Sequence, residues 1–392
     1  MSRAIADTPS FTGEPAASRE KSKGGRHGLP LEVQLWIEIS LLIGLGLIMI
    51  YSASSIMALR KFSDGTHYMK RQFVCMGLGI GAMLVTRRIP YRSYKAYVPW
   101  MLIGALAALF LVLIPGLGAE INNARRWFQF KIFLLQPAEY AKVIWVMYLS
   151  VSLSKKQEKI RKMGVGFWPH VILCGMISML LMLEPDFGTT FMIACLTGLM
   201  LAAGGVPFGH LFMLIPFGAL GFYRFVYHVP YRWERVTAFL NPWTDPLDSG
   251  YQLIQAWIAV GSGGLWGKGL GAGQQKLFYL PEAYTDFILA VVGEELGFIG
   301  ILVVSLLFFS LFWTGLCVSR NAPDFMGTLM ALGLTMFLTL QALLNMGVVL
   351  GLMPTKGLPL PFISYGGSAF TANCVAMGIL MNIARSGESR IA

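Results

Sequence analysis

Apolar residues along the chain fall into ten long runs, at about 35–55, 70–87, 96–115, 136–154, 168–184, 187–204, 207–227, 286–316, 326–350 and 362–384. Each comes close to the roughly 20 residues that a helix needs to cross a hydrocarbon core. The eighth is long enough to tilt or to extend beyond the bilayer. The fifth and sixth meet with almost nothing between them, which predicts a tight hairpin around Glu184-Pro185-Asp186. The pattern predicts an all-α integral membrane protein, a ten-helix bundle over residues 31–385. A polar tail precedes it at 1–30 and another follows at 386–392. The first tail has no apolar stretch of a cleaved signal, so the first helix is expected to direct insertion. The longest polar connection, 228–285 between the seventh and eighth runs, is of a length that is usually functional.

Composition sharpens this picture. Of 392 residues 55% are hydrophobic and 13% charged, far below the roughly 25% charged residues of soluble domains. The net charge of +11 could suggest nucleic acid, but the Lys and Arg stand between apolar runs, where topology and anionic lipids explain them better. Cys75, Cys174, Cys195, Cys317 and Cys374 all lie in apolar stretches without CxxC or Cys/His spacing, so neither zinc nor a disulfide framework is implied. Basic clusters occur in the first tail, after the second run (Arg87, Arg88, Arg92, Lys95) and after the fourth (Lys155, Lys156, Lys159, Arg161, Lys162). The bias of Lys and Arg toward the cytoplasm puts all three there, with both termini.

The remaining cations, Arg125, Arg126, Lys131, Arg232, Arg235, Lys268, Lys276 and Lys356, then face outward among Gly, Pro and Trp. Outer loops carry some charge in any case, but a phosphate-bearing ligand at the outer leaflet would need such residues. The glycines at 261–273 fail both as GxGxxG, because position 272 is Ala, and as a phosphate-binding P-loop, because Lys268 is followed by Gly269. Tight turns and close backbone approach suit them better. Glu139 and Lys142, three apart, can pair on one helical face. Glu184 and Asp186 suit a turn as well as they suit a ligand. Asp286, where the long connection enters the eighth run, is favoured by the helix dipole alone. Glu294 and Glu295 are adjacent and are expected to face different ways.

Longer motifs then connect these residues. They are Tyr51-Ser52-Ala53-Ser54-Ser55, Arg126-Trp127, Gln136-Pro137-Ala138-Glu139, Glu184-Pro185-Asp186-Phe187-Gly188-Thr189-Thr190 and Gly250-Tyr251-Gln252. Further on stand Gly267-Lys268-Gly269-Leu270-Gly271, Tyr279-Leu280-Pro281-Glu282, Thr285-Asp286-Phe287 and Gly293-Glu294-Glu295-Leu296-Gly297, and last Pro354-Thr355-Lys356-Gly357 through Ser364-Tyr365-Gly366-Gly367-Ser368. In this order the motifs resemble the SEDS (shape, elongation, division and sporulation) family over about 35–385, and its FtsW branch more than its RodA branch. Tyr284 replaces a frequent His, Ala369 a second Ser and Ala138 a Ser.

The resemblance implies a peptidoglycan glycosyltransferase that polymerises lipid II into β-1,4 glycan strands at the division septum of the inner membrane. It implies that Asp286, in Thr-Asp-Phe, is the catalytic carboxylate. Arg126, Lys268, Lys276 and Lys356 become candidates for the substrate phosphates, with Glu282 and Ser364 also expected to bind substrate. Glu139 and Lys142 are expected to be a structural pair. No cofactor is certain, although a divalent cation (Mg or Mn) could share the phosphates. Expected partners are a class B penicillin-binding protein of the FtsI type, the FtsQ, FtsL, FtsB and FtsN types of division protein, and membrane lipids, but no nucleic acid. Two rival readings use the same residues. A lipid II flippase would line a path with Glu139, Lys142 and Glu184, and a division scaffold would not require Asp286.

Overall fold

The computed structural model describes residues 29–121, 124–130 and 134–391. Most of the expected first tail and Lys131 lie outside the described residues. Thirteen helices are present among them: α1 Leu31–Phe62, α2 His67–Arg88, α3 Tyr94–Val112, α4 Pro137–Lys155, α5 Trp168–Leu183, α6 Phe187–Ala203, α7 Phe208–Phe212, α8 Leu214–Phe222, α9 Pro230–Leu240, α10 Tyr251–Gly263, α11 Ile288–Asn321, α12 Phe325–Val349 and α13 Gly367–Ile391. The all-α membrane class expected from the apolar runs is what forms.

Among the described residues, seven segments are long and apolar enough to cross a membrane: Leu31–Phe62, Tyr91–Val112, Met163–Leu183, Phe208–Tyr227, Ile288–Asn321, Phe325–Val349 and Gly367–Glu388. The other three expected spans are helices that fall short for identifiable reasons. α6 has only 17 residues. α2 carries Lys70, Arg71 and Gln72 at one end and Arg87 and Arg88 at the other. α4 holds Glu139, Lys142 and several serines. α4 packs against α3, α6, α12 and α13, so it is lined by protein and needs no apolar exterior.

Three local departures matter for the site. Between α3 and α4 the chain forms a small antiparallel sheet, β1 Ala119–Ile121, β2 Ala124–Gln129 and β3 Leu134–Leu135, which helical periodicity could not announce. The connection 228–285 is no open loop, because α9 and α10 lie within it and α10 buries Leu253, Ile254, Ala256 and Ala259. At the far end α13 runs on through residues assigned to a tail, and Glu388 Oε1 accepts the Leu31 amide at 2.6 Å, satisfying an orphan donor at the start of α1.

The eighth run divides in two. Gly297 has φ +69°, ψ −163° inside α11, a conformation that only glycine adopts freely. Residues eight apart in a straight helix are about 12 Å apart. Here a Cβ on Gly300 would lie 3.2 Å from Val292 Cγ1, and one on Gly293 would lie 3.0 Å from Ile301 Cδ1. The short segment Ile288–Leu296 therefore doubles back along the longer one that follows, which makes the expected span 286–316 a half-helix and a full helix.

One end of the bundle is tied by polar contacts. Asp324 caps α12 through the Gly327 amide (2.7 Å) and receives the Tyr91 hydroxyl and Arg92 Nε, each at 2.8 Å. Asn382 joins the Tyr91 amide and the Arg87 carbonyl, while Arg87 pairs with Glu32. The basic residues after the second run thus gather with both helical ends, α1 and α13, and Asp286 belongs to the opposite end.

Candidate active site

Asp286 is the last residue but one before the half-helix. Its backbone is held from two sides. Asn345 Nδ2 of α12 donates to the Asp286 carbonyl (2.7 Å) and to the Leu358 carbonyl (2.7 Å). Ser364 Oγ donates to the Thr285 carbonyl (2.5 Å) and accepts the Leu360 amide (2.8 Å). The segment 354–366 is thereby clipped to the Thr285–Asp286 junction. A Cβ on Gly357 would stand 3.0 Å from Asp286 Oδ2, so these two strands of chain pass as closely as a glycine permits.

The Asp286 carboxylate accepts no hydrogen bond from any described residue. Its surroundings favour the proton: burial, then the charges of Glu282 and Asp186, raise its pKa to about 7, against the opposing pull of Arg126 and Arg235. Glu282 has φ +53° and takes the Thr285 hydroxyl at 2.8 Å. A carboxylate that titrates near neutrality, with no hydrogen-bond donor from any described residue, can accept a proton from an incoming hydroxyl.

The expected phosphate cations divide sharply. Lys356 lies over the rings of Phe187 (5.2 Å) and Phe191 (3.7 Å) with no carboxylate partner among the described residues. Burial lowers its pKa to about 8, so it is a positive charge not neutralised by the protein. Lys276 is the opposite case, 4% exposed. Its three protons go to Glu295 Oε1 (2.6 Å), Ser52 Oγ (2.9 Å) and the Gly271 carbonyl (2.9 Å). An ammonium has three donors, so Lys276 has none left for a phosphate, and the expectation that it binds substrate gives way to a structural ion pair. Lys268 is one-third exposed and pairs with Glu294 Oε1 at 2.9 Å. Ser364, engaged at both ends, is likewise structural in this geometry. Arg126, on β2, donates to the carbonyls of Glu184 (2.7 Å) and Pro185 (2.6 Å), closing the C-terminus of α5. It holds the hairpin in place and contributes its charge near Asp286.

Glu294 and Glu295 depart from expectation together. Both are fully buried, and both reach the glycine segment: a Cβ on Gly273 would be 3.0 Å from Glu294 Oε2 and 3.0 Å from Glu295 Oε1. Glu294 takes the amides of Gln274 (2.8 Å) and Gln275 (3.0 Å), and Glu295 takes that of Gly271 (3.0 Å). Adjacent helical residues diverge by about 100°, but the break at Gly297 frees this turn of helix and the segment 267–276 wraps around its end.

The hairpin brings Asp186 to cap α6, its two oxygens taken by the Thr189 amide (3.0 Å) and hydroxyl (2.8 Å). Glu184 is fully buried with both carboxyl oxygens lacking a partner among the described residues. Burial, then Asp186, raises its pKa to about 9 against Arg126, so it is neutral at pH 7. Glu139 and Lys142 pair at 3.0 Å in the core, and Lys142 also donates to Gln341 Oε1 at 2.9 Å. Among the described residues no three His, Cys, Asp or Glu converge as a metal-binding set. Asp186 and Glu282 hold Thr189 and Thr285, so the donor set does not fit a resident Mg or Mn ion.

Asn345 escaped the sequence reading. Its signal was the spacing of Gln341 and Asn345, two amides four apart in an apolar helix. Both reach the segment after α12: Gln341 Nε2 donates to the Pro359 carbonyl at 2.8 Å.

The chain is similar to known proteins along most of its length. The family described as cell cycle proteins, FtsW/RodA/SpoVE, matches residues 33–389. A probable peptidoglycan glycosyltransferase FtsW of Geobacter metallireducens is 46% identical over 342 residues, 86% of this chain and 90% of that protein. Stage V sporulation protein E of Bacillus subtilis is 41% identical over 345 residues, 88% of this chain and 94% of its own. Among solved structures, a chain of a peptidoglycan synthase complex that coordinates polymerization and crosslinking superposes with a TM-score of 0.73 at 28% identity, covering 90% of this chain and 97% of that one. The rod shape determining protein RodA of Thermus thermophilus gives a TM-score of 0.65 at 26% identity, with 90% and 95% covered. With a family match across nearly the whole helical region and relatives above 40% identity over most of their length, the chain belongs to the FtsW/RodA/SpoVE family of membrane-embedded cell cycle proteins.

Proposed function

We propose that the protein is a peptidoglycan glycosyltransferase that polymerises lipid II, with Asp286 as the general base. Asp286 carries the reading: its carboxylate accepts no hydrogen bond from any described residue, titrates near pH 7 and lies on a junction held by Asn345 and Ser364. In the reaction the acceptor 4-hydroxyl attacks the anomeric carbon of an α-linked glycosyl diphosphate. Asp286 takes the hydroxyl proton, the new β-1,4 bond forms as the bond to the diphosphate breaks, and the configuration inverts. The leaving diphosphate is already anionic and needs positive charge rather than a proton. Lys356 supplies it directly, and Arg126 and Arg235 add their field.

A Mg or Mn ion used in the reaction would be held by the substrate's own phosphates and would supply positive charge to them, since the described residues offer no carboxylate set for one. The enzyme works in the inner membrane at the division septum, both termini in the cytoplasm, beside a class B penicillin-binding protein and proteins of the FtsQ, FtsL, FtsB and FtsN types. The relatives' names, the synthase complex and the distribution of basic residues support this placement. Purified protein with its transpeptidase partner, given lipid II, should make glycan strands. Lipid II transport without strands, at normal protein level, would favour the flippase reading and overturn this one.

A further inference from the structure

Three tyrosines meet beside Asp286. Tyr68 of α2, Tyr284 and Tyr365 have ring centroids 4.8 Å (68–284), 5.3 Å (68–365) and 5.7 Å (284–365) apart. Tyr68 is buried, and the other two are partly buried. The trio is fixed to the site by its backbone: the Tyr365 amide donates to the Tyr284 carbonyl at 3.0 Å, Tyr284 is two residues before Asp286, and Tyr365 follows Ser364, which holds Thr285. Arg71, exposed on α2, is near enough to act on the charge of Tyr365.

A tyrosine at a membrane boundary ordinarily keeps its polar end in water, as Tyr97 does at 64% exposure. Here two part-open rings rest on a third, one turn of chain from a carboxylate. Lys356 leans on Phe187 and Phe191 of α6, whereas the tyrosines lean on α2. Asp286 thus has a cationic flank and an aromatic flank.

The two flanks suit different chemistry. A leaving diphosphate needs cations. A hexosamine ring offers an apolar C–H face that packs on an aromatic ring and a polar rim of hydroxyl and acetamido groups for neighbouring donors. Resting on the glycosyltransferase reading above, we propose that Tyr284 and Tyr365, supported by Tyr68 and with Arg71 at the rim, bind the terminal N-acetylhexosamine of the acceptor, placing its hydroxyl at Asp286. The donor's diphosphate then occupies the Lys356 side. Tyr284 and Tyr365 act mainly through their ring faces, and the Tyr284 hydroxyl also donates to the Tyr68 hydroxyl at 3.5 Å.

The test uses the full chain in its complex with the transpeptidase partner. A preformed glycan strand on its lipid diphosphate is held saturating as donor, and lipid II is varied as acceptor. Tyr365→Ala and Tyr284→Ala should each raise the acceptor KM about tenfold, the loss of one ring contact, with the dependence on donor unchanged. Tyr365→Phe and Tyr284→Phe, which keep the rings, should leave the acceptor KM well below that of the corresponding Ala variants. Saturation-transfer NMR with the lipid-free N-acetylglucosaminyl–N-acetylmuramyl disaccharide should show transfer to the terminal sugar in wild type and its loss in Tyr365→Ala, and this readout does not depend on turnover. Unchanged acceptor KM in both Ala variants, in a wild type that polymerises, overturns the subsite and leaves the function standing. Absence of polymerisation by wild type overturns the function, and a disaccharide signal that survives both Ala variants overturns the subsite independently.

Discussion

Gly357 lies against Asp286 so closely that a methyl group there would stand 3.0 Å from Asp286 Oδ2. Gly357 is exposed and its backbone is in an ordinary region, so Gly357→Ala should leave folding and membrane level intact. The added carbon must push the carboxylate aside by a few tenths of an ångström. Because misplacing a reacting group by about 1 Å can cost about 10²-fold in rate, initial rates of strand synthesis should fall by a smaller, several-fold factor. An unaltered rate would mean that Oδ2 is not the proton acceptor in this rotamer.

Asp286→Asn preserves size but cannot take a proton, and strand synthesis should fall by about 10²- to 10⁴-fold, at unchanged protein level. Wild-type rate at equal abundance and saturating lipid II would remove Asp286 from the mechanism.

The pH dependence has two limbs. Asp286 is raised from 3.8 to about 7, and a base must be ionised, so activity should rise as pH passes about 7. Lys356 is lowered to about 8, so substrate use should decline above that pH. Lys356→Arg should remove the declining limb, because guanidinium stays charged. Stability runs in the opposite sense for Asp286. Its folded form keeps the proton longer than the unfolded form, so between pH about 4 and 7 its contribution to stability falls as pH rises. Thermal unfolding of Asp286→Asn should show a shallower loss over that window than wild type.

Two lysines that look alike in the sequence should fail differently. Lys276→Ala leaves Glu295 buried without its cation and should destabilise the fold by about 3–5 kcal/mol, seen as loss of membrane-inserted protein. Lys356→Ala breaks no ion pair and should keep normal abundance while weakening lipid II use. If both variants accumulate normally, the Lys276 network does not support the fold.

Glu139→Ala strands Lys142 in the core and should lower the amount of folded protein. Joint replacement, Glu139→Leu with Lys142→Met, removes both charges and should restore abundance. Normal level but no polymerisation in the double variant would give the pair a catalytic role.

The helical frame was legible because the apolar runs are long and the basic residues between them cluster. The division of the eighth run was not, since Gly297 differs from the neighbouring glycines only in its backbone angles. That single residue also explains why Glu294 and Glu295 converge although helical spacing separates them. Within the site, Asp286 was found through its motif, and the phosphate candidates through charge alone. Charge does not reveal the partner: Lys276 and Lys356 are distinguished by Glu295 and Ser52 on one side and by two phenylalanines on the other, contacts that join residues far apart in the chain. The sheet holding Arg126 was missed because strands of two to six residues leave too little alternation to read.

Asn345 has a consequence for how this enzyme can be taken apart. Surface loops that carry chemistry can often be cut from one scaffold and set on another, because their ends are all that the scaffold holds. Here one buried amide near the end of α12 grips the chain on both sides of the reaction centre, at Asp286 and at Leu358. The segment 228–287 synthesised alone, or transplanted with its termini intact, would carry the carboxylate without the grip. No water-soluble fragment of this protein should retain the geometry of its base, and the solvent for this chemistry has to include the bilayer that keeps α12 in place.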